Sequence, residues 1–203
     1  MALAFWDDAF GDETYRYGTA PNAFLAAQAR DHIPEGGRVV CFGEGEGRNA
    51  VWLAQQGFAV TAVEPSSAGI AKIAALARSR GVSVQLVQAT VQDFAPADPF
   101  DAVVLIYLHA PAPARQRIHH RAVQVLRPGG VVILEGFTPE QRQLGRTSGG
   151  PPAVELMFTE PLLRADFEGL DIVHLTSLQT ELHEGHGHEG VANIVRMIAR
   201  AAA

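Results

Sequence analysis

The residues Gly43-Glu44-Gly45-Glu46-Gly47 follow a short apolar run, Arg38-Val39-Val40-Cys41-Phe42, and precede a helical pattern. Glycines at such a turn permit positive φ and let a ligand approach the backbone, while the helix N-terminus offers free N–H donors. The spacing narrows the ligand. A dinucleotide fingerprint, G-x-G-x-x-G, would need its last glycine where Arg48 stands. The alternating G-x-G-x-G form suits an adenosyl amino acid, which brings no pyrophosphate. Glu64, closing the next apolar run, can accept hydrogen bonds from both hydroxyls of a ribose. Taken alone, Glu64 also reads as a solvated acid at a strand end.

A second set of residues is suited to proton handling or acceptor binding. His109 follows the fourth apolar run and is the first candidate for a general base, or else a partly exposed loop histidine. Glu135, ending the fifth run, either orients an acceptor or pairs with a neighbour. The stretch His183-Glu184-Gly185-His186-Gly187-His188-Glu189 is rich in metal-ligating side chains. Its glycines work against a closed metal geometry, so no metal is assigned; His188 and Glu184 face a substrate, or the turn is simply polar. His119 and His120 lie on a helix away from this edge and read as surface residues.

The elements that must position these groups alternate regularly. Apolar runs at 38–42, 58–63, 82–87, 102–107 and 131–134 read as strands. Helical periodicity falls between them, at Arg48–Gln56, Ser67–Arg80 and Ala114–Leu126. Arg127-Pro128-Gly129-Gly130 reads as the turn into the fifth strand. Continuous apolar strands separated by helices imply an α/β, doubly wound parallel sheet covered on both faces. Leu170–Leu182 and Val191–Ala199 flank the histidine-rich turn as a strand hairpin. If the first hairpin strand is parallel to the other five, that turn stands on the ligand-binding edge. Residues 145–152, rich in glycine and proline, read as a candidate mobile loop.

The 203 residues suit one domain: residues 1–37 as N-terminal lid and helix, 38–137 as cofactor-binding core, 138–203 as acceptor side. A net charge of −6 argues against a nucleic-acid partner, which selects for positive surface. No apolar segment is long enough to span a membrane, and the first residues lack the basic and apolar regions of a signal peptide. The single cysteine, Cys41, forms no internal disulfide and points to a reducing cytoplasm. A monomer or weak homodimer is expected.

Residues 39–54, 60–66 and 104–137 resemble class I S-adenosylmethionine-dependent methyltransferases. Phe5-Trp6-Asp7, the stretch from Tyr15 to Leu25, the Gly43–Asn49 loop, and the ending Glu184-Gly185, His188, Gly190 are similar to the small bacterial tellurite-resistance and thiopurine methyltransferase group. The resemblance implies a Rossmann-like seven-stranded sheet whose last strand is antiparallel and inserted beside the fifth. It also implies S-adenosylmethionine as cofactor and S-adenosylhomocysteine as product. Gly43 and Gly45 would face the methionine moiety, Glu64 the ribose, and Thr90 and Val91 the adenine. Tyr107 would lie under the cofactor and Tyr17 would close over it, with Glu44, Gly47, Asn49 and Pro65 completing the binding set. Two positions depart from the group: Cys41 stands where aspartate is frequent, with Glu44 a candidate for the missing charge, and Thr90 stands where asparagine or aspartate is usual.

Methyl transfer is an in-line displacement dominated by positioning and desolvation. A soft nucleophile, such as a thiol or a tellurium or selenium oxyanion, needs no base; an amine or hydroxyl does. The acidic charge, and the lack of the Asn/Asp-Pro-Pro-Tyr/Phe tetrapeptide that marks methylation of DNA bases, favour a small-molecule acceptor, with catalytic candidates His109, Glu135 and His188. The alternatives are a cofactor- or metal-binding module without catalysis, and a dinucleotide-dependent oxidoreductase.

Overall fold

Successive side chains of a strand face opposite layers, and this alternation divides the apolar runs between two cores. In β1 (Arg38–Phe42), Val39 and Cys41 pack on one face of the sheet while Val40 and Phe42 pack on the other. The computed structural model describes residues 3–203, with Leu3 and Ala4 as backbone only. Met1 and Ala2, which open the stretch read for a signal peptide, lie outside the described residues.

The chain runs α1 (Leu3–Ala9), α2 (Ala23–His32), β1, α3 (Arg48–Gln55), β2 (Ala59–Val63), α4 (Ser67–Ser79), β3 (Gln85–Val87) and β4 (Phe100–Ile106). It continues with α5 (Ala112–Gln124), β5 (Leu126–Phe137), α6 (Glu140–Gln143), a 3-10 turn at Val154–Leu156, α7 (Glu160–Asp166), β6 (Asp171–His183) and β7 (Glu189–Arg200). The sheet order is β3-β2-β1-β4-β5-β7-β6, with β1 to β5 parallel and β7 antiparallel to both β5 and β6. The sheet is therefore Rossmann-like and doubly wound, with its last strand inserted beside the fifth. β6 runs with the first five strands, so the turn at 184–188 stands at their carboxyl edge. One core layer lies under α2, α3 and α4 and includes Leu25, Leu53, Ile73 and Ile133. The other lies under α5 and α7 and includes Phe42, Ile118, Leu163 and Phe167.

Four local readings are corrected. Arg127–Gly130 is not a turn ahead of β5 but a bulge within it. Leu126 pairs with Phe100, pairing resumes at Val131 with Ala102, and the C-terminal segment holds the excess through Gly129 N to Ala202 O and Ala201 N to Gly130 O. The third strand is shorter than the 82–87 run, because the Val82 amide closes α4 onto Ala77 O at 3.1 Å.

The 145–152 segment is fastened rather than loose. Arg142 donates to the carbonyls of Arg146, Gly149, Gly150 and Pro151, and Ser148 Oγ donates to Val191 O at 2.7 Å. His119 is buried, not on the surface. Its Nδ1 lies 2.7 Å from Asp166 Oδ2, Arg115 Nε donates to the same oxygen, and its ring stacks on Phe167, so the cluster ties α5 to α7. His120 is exposed beside Gln124.

Candidate active site

The glycine loop leaves β1 with φ of 59° at Gly43, 66° at Gly45 and 98° at Gly47, all left-handed. A Cβ at Gly47 would lie 2.9 Å from Ile73 Cα, a backbone atom of α4 that cannot step aside. Glu64, buried at the end of β2, braces the loop: its two oxygens accept from the amides of Gly45 (2.8 Å) and Ser66 (2.9 Å). Burial raises its pKa, opposed by those two amides. A carboxylate has about four acceptor positions, so roughly two remain for other donors.

Glu44 turns inward. Its Oε1 accepts from the amides of Asn49 (3.0 Å) and Ala50 (2.7 Å) and so caps α3. Those amides are spent on the protein's own carboxylate, which corrects the expectation of free donors there and of Glu44 as a charge offered to ligand. Burial pushes Glu44 up to about 7. Thr90 is likewise engaged, its hydroxyl donating to Asp93, while Val91 is buried and Pro65 half-buried beside Glu64.

The N-terminal segment straps across this loop. Phe10 covers Gly45 and Gly69, within 3.3 Å and 3.4 Å of where their Cβ atoms would be. Asp7 accepts from the hydroxyls of Ser66 and Ser67 at the start of α4. Lys72, on α4, donates to Thr14 O (2.7 Å) and to Glu46 Oε1 (2.6 Å), and Glu46 Oε2 accepts the Tyr17 amide. On the other side, Gly187 N donates to Arg16 O, and a Cβ at Gly185 would meet Gly18 N, so backbone touches backbone. Asn49 Oδ1 accepts from Asn22 N at 2.9 Å, holding the far end of the strap.

Beneath the strap lies a buried polar network. Tyr107 directly follows β4 at φ 56°, a left-handed conformation that costs an aromatic residue about 1–3 kcal/mol. Its ring stacks on Phe137 at 4.8 Å and its hydroxyl donates to Glu135 Oε1 at 2.6 Å. Glu135 is fully buried and also accepts from Asn22 Nδ2 (2.6 Å) and Arg196 Nε (2.6 Å). Of its two sequence readings, the structure gives the paired one. Asn22 Nδ2 reaches a second carboxylate, Glu184 Oε1, at 3.0 Å. Arg48 Nη2 donates to Glu184 Oε2 at 2.8 Å, while Arg48 Nη1 is buried with no partner among the described residues. Burial alone would raise Glu184, but His188 and Arg48 hold it down to about 2.

The histidines separate. His183 pairs with Glu189 on the surface, His186 is exposed at the tip, and His188 is buried, so the turn does not gather them around one point. His109 is correctly placed near the end of β4 but is not free to act as a base. Its Nδ1 lies 2.9 Å from Leu156 O, its Nε2 accepts the Phe137 amide at 3.1 Å, and its ring stacks on Phe158 at 4.3 Å. Both nitrogens are committed to backbone groups, and burial lowers its pKa to about 4. Asn22, Arg48, Arg196, Glu46 and Lys72 were not singled out from sequence. Arg48 carried a signal, as the residue that breaks the dinucleotide spacing, and Asn22 and Glu46 fall within the Tyr15–Leu25 and Gly43–Asn49 stretches.

Residues 39–130, from β1 to the entry of β5, match the family model described as a methyltransferase domain. That stretch, a little under half of the chain, is similar to methyltransferase domains. Solved structures share the fold over nearly the whole chain. The one reported as "Conversion of a Disulfide Bond into a Thioacetal Group during Echinomycin Biosynthesis" has a TM-score of 0.77 at 20% identity, covering 99% of this chain and 93% of that one. TehB from Haemophilus influenzae has 0.71 at 15%, covering 98% and 66%. The N-methyltransferase NodS from Bradyrhizobium japonicum WM9, in complex with S-adenosyl-L-homocysteine, has 0.71 at 14%, covering 99% and 98%. No curated protein sequence matches.

The fold is that of the class I S-adenosylmethionine-dependent methyltransferases, and NodS, which shares it, holds S-adenosyl-L-homocysteine. Two features of this chain fit S-adenosylmethionine. The left-handed glycines hold the loop in a backbone conformation that side chains rarely allow, and Arg48 Nη1 is a buried cationic donor with no partner among the described residues.

Proposed function

We propose that this methyltransferase transfers the methyl group of S-adenosylmethionine to a small molecule bound at the carboxyl edge of β4 and β5. The observation that carries the acceptor class is the strap. Tyr17, Asn22 and the 184–188 turn close over Tyr107 and Glu135, which favours a small acceptor over a polymer. The charge of −6 supports the same choice over nucleic acid. A soft acceptor such as a thiol or a tellurium or selenium oxyanion would need only positioning at this edge, whereas a hydroxyl or amine would also need a base. No described helix is long and apolar enough to cross a membrane, and the buried lone Cys41 supports a cytoplasmic setting. Glu160 Oε1 accepts the outward Ser177 amide at 2.8 Å, blunting the β6 edge, which supports a monomer or weak homodimer.

In this reading Gly43, Gly45 and Gly47 cradle the cofactor, Glu64 takes the ribose hydroxyls and Arg48 the methionine carboxylate. Tyr107 and Tyr17 bound the site from either side, and Thr90, Val91 and Pro65 border the adenine. Glu44 and Asn49 act indirectly by fixing the start of α3. The cofactor supplies an electrophilic methyl group on a sulfonium; the chain supplies alignment and exclusion of water. Glu64→Ala is expected to weaken binding of S-adenosylhomocysteine by about 1.5–3 kcal/mol, the worth of charge-assisted hydrogen bonds, or roughly 10- to 150-fold in Kd. Calorimetric titration checks this; an unchanged Kd would contradict the ribose assignment.

A further inference from the structure

His188 is the buried histidine of the turn at the acceptor edge, and unlike His109 its ring nitrogens are not spent on backbone. It is only 5% exposed, and its ring is boxed by aromatic rings from three elements: Tyr17 at 4.5 Å, Tyr107 at 4.4 Å and Phe137 at 5.2 Å. Its Cδ2 rests against Gly149, where a Cβ would come within 2.4 Å. Its Nδ1 has no hydrogen-bond partner among the described residues, yet lies 3.5 Å from Glu184 Oε2. Glu184 is itself fixed by Arg48 and Asn22, so its carboxylate is a stationary negative charge facing Nδ1.

We propose that His188, oriented by Glu184, is the general base of this methyltransferase, and that its acceptor is therefore a protic nucleophile, a hydroxyl or an N–H group. The inference rests on the methyl-transfer reading above and names the acceptor class for that same site. A carboxylate facing Nδ1 favours the tautomer that carries its proton there, which leaves the lone pair on Nε2. As the acceptor oxygen or nitrogen bonds to the methyl carbon, its proton passes to Nε2. The electron pair of the broken carbon–sulfur bond stays on sulfur, which becomes a neutral thioether. The imidazolium so formed is stabilised by Glu184 and returns its proton to solvent when product leaves.

The groups facing His188 set its protonation. Burial disfavours the imidazolium, as does Arg48 from α3; Glu184 and Glu135 favour it; His109, held neutral by its own burial, and the Tyr17 and Tyr107 rings face it without charge. The balance holds His188 below its ordinary value, so it is neutral and able to accept a proton at pH 7. A tellurium or selenium oxyanion attacks through a lone pair that bears no proton and has no use for this arrangement.

Two measurements on the full chain test the proposal. Nitrogen-15 NMR of the histidine rings, without cofactor, is expected to show His188 protonated at Nδ1, and Glu184→Gln is expected to shift it to a mixture of tautomers. Methyl transfer from S-adenosylmethionine is then followed by mass spectrometry with catechol and benzimidazole as protic probes, and selenite and tellurite as soft ones. Transfer to a protic probe is expected, with kcat rising through one ionisation below pH 7. His188→Gln is expected to lower kcat by about 10²–10⁴-fold and abolish that ionisation, with little change in KM. An Nε2-protonated His188, or full kcat in His188→Gln, would overturn the assignment. Transfer to selenite or tellurite alone would overturn the base while keeping methyl transfer. Transfer to no probe, with no cofactor bound, would overturn both.

Discussion

Glu135→Ala is expected to destabilise the fold by about 3–5 kcal/mol, the cost of removing one partner from a buried charge pair. Glu135 is fully buried and takes hydrogen bonds from Tyr107, Asn22 and Arg196, which come from the turn after β4, the segment before α2, and β7. Its loss strands three donors beneath the strap. The left-handed turn at Tyr107 also loses the side-chain bond that holds its ring over the site. For a chain of this length the melting temperature should fall by about 6–20 °C. Glu135→Gln retains the acceptor for Tyr107 and Asn22 but sets an amide against Arg196, so about 1–3 kcal/mol is expected. Urea unfolding of the three proteins checks the order. A loss under about 1 kcal/mol for Glu135→Ala would show that the network is replaced by water at little cost.

His109→Ala is expected to act on stability rather than on the chemical step. The ring fills the space against Phe158 and satisfies two buried backbone groups, the Leu156 carbonyl and the Phe137 amide. A cavity and two orphaned groups together cost about 2–5 kcal/mol. His109 also gives stability a pH dependence with a definite sign. Its folded pKa, about 4, lies below the unfolded value of 6.5, so the unfolded chain takes up the proton first as pH falls. The contribution is complete above pH 6.5 and disappears between pH 6.5 and 4, a loss of roughly 3 kcal/mol. His109→Asn has no such ionisation and should show a shallower decline over that window. Equal slopes for the two proteins would mean that His109 is not held neutral by burial.

The parallel sheet was legible because its strands are continuous apolar runs, a pattern that only burial on both faces explains. Strand order, and the hairpin that inserts β7 beside β5, came from family likeness, since neither follows from periodicity. The errors come from hydrogen-bond partners that composition and periodicity do not name, some distant in sequence and some within a turn or two. Whether His109 is a base or a filler depends on a carbonyl at Leu156, and whether Glu44 faces ligand depends on how α3 begins. Residues 145–152 look loose in composition, and it is Arg142, collecting their carbonyls, that fixes them. His119 was readable. It shares the buried face of α5 with Arg115, Ile118 and Ala122, at the spacing of one helical stripe. The strap was half visible: the Tyr15–Leu25 motif marked a lid, but nothing in it disclosed that Asn22 bridges two carboxylates.

The most direct test of the account is calorimetric titration of the protein with S-adenosylmethionine, S-adenosylhomocysteine and NAD. The glycine cradle, Glu64 and the unpartnered Arg48 donor lead us to expect micromolar binding of the first two and none of NAD. Binding of NAD alone, or of none of the three, would contradict a cofactor site built on those residues.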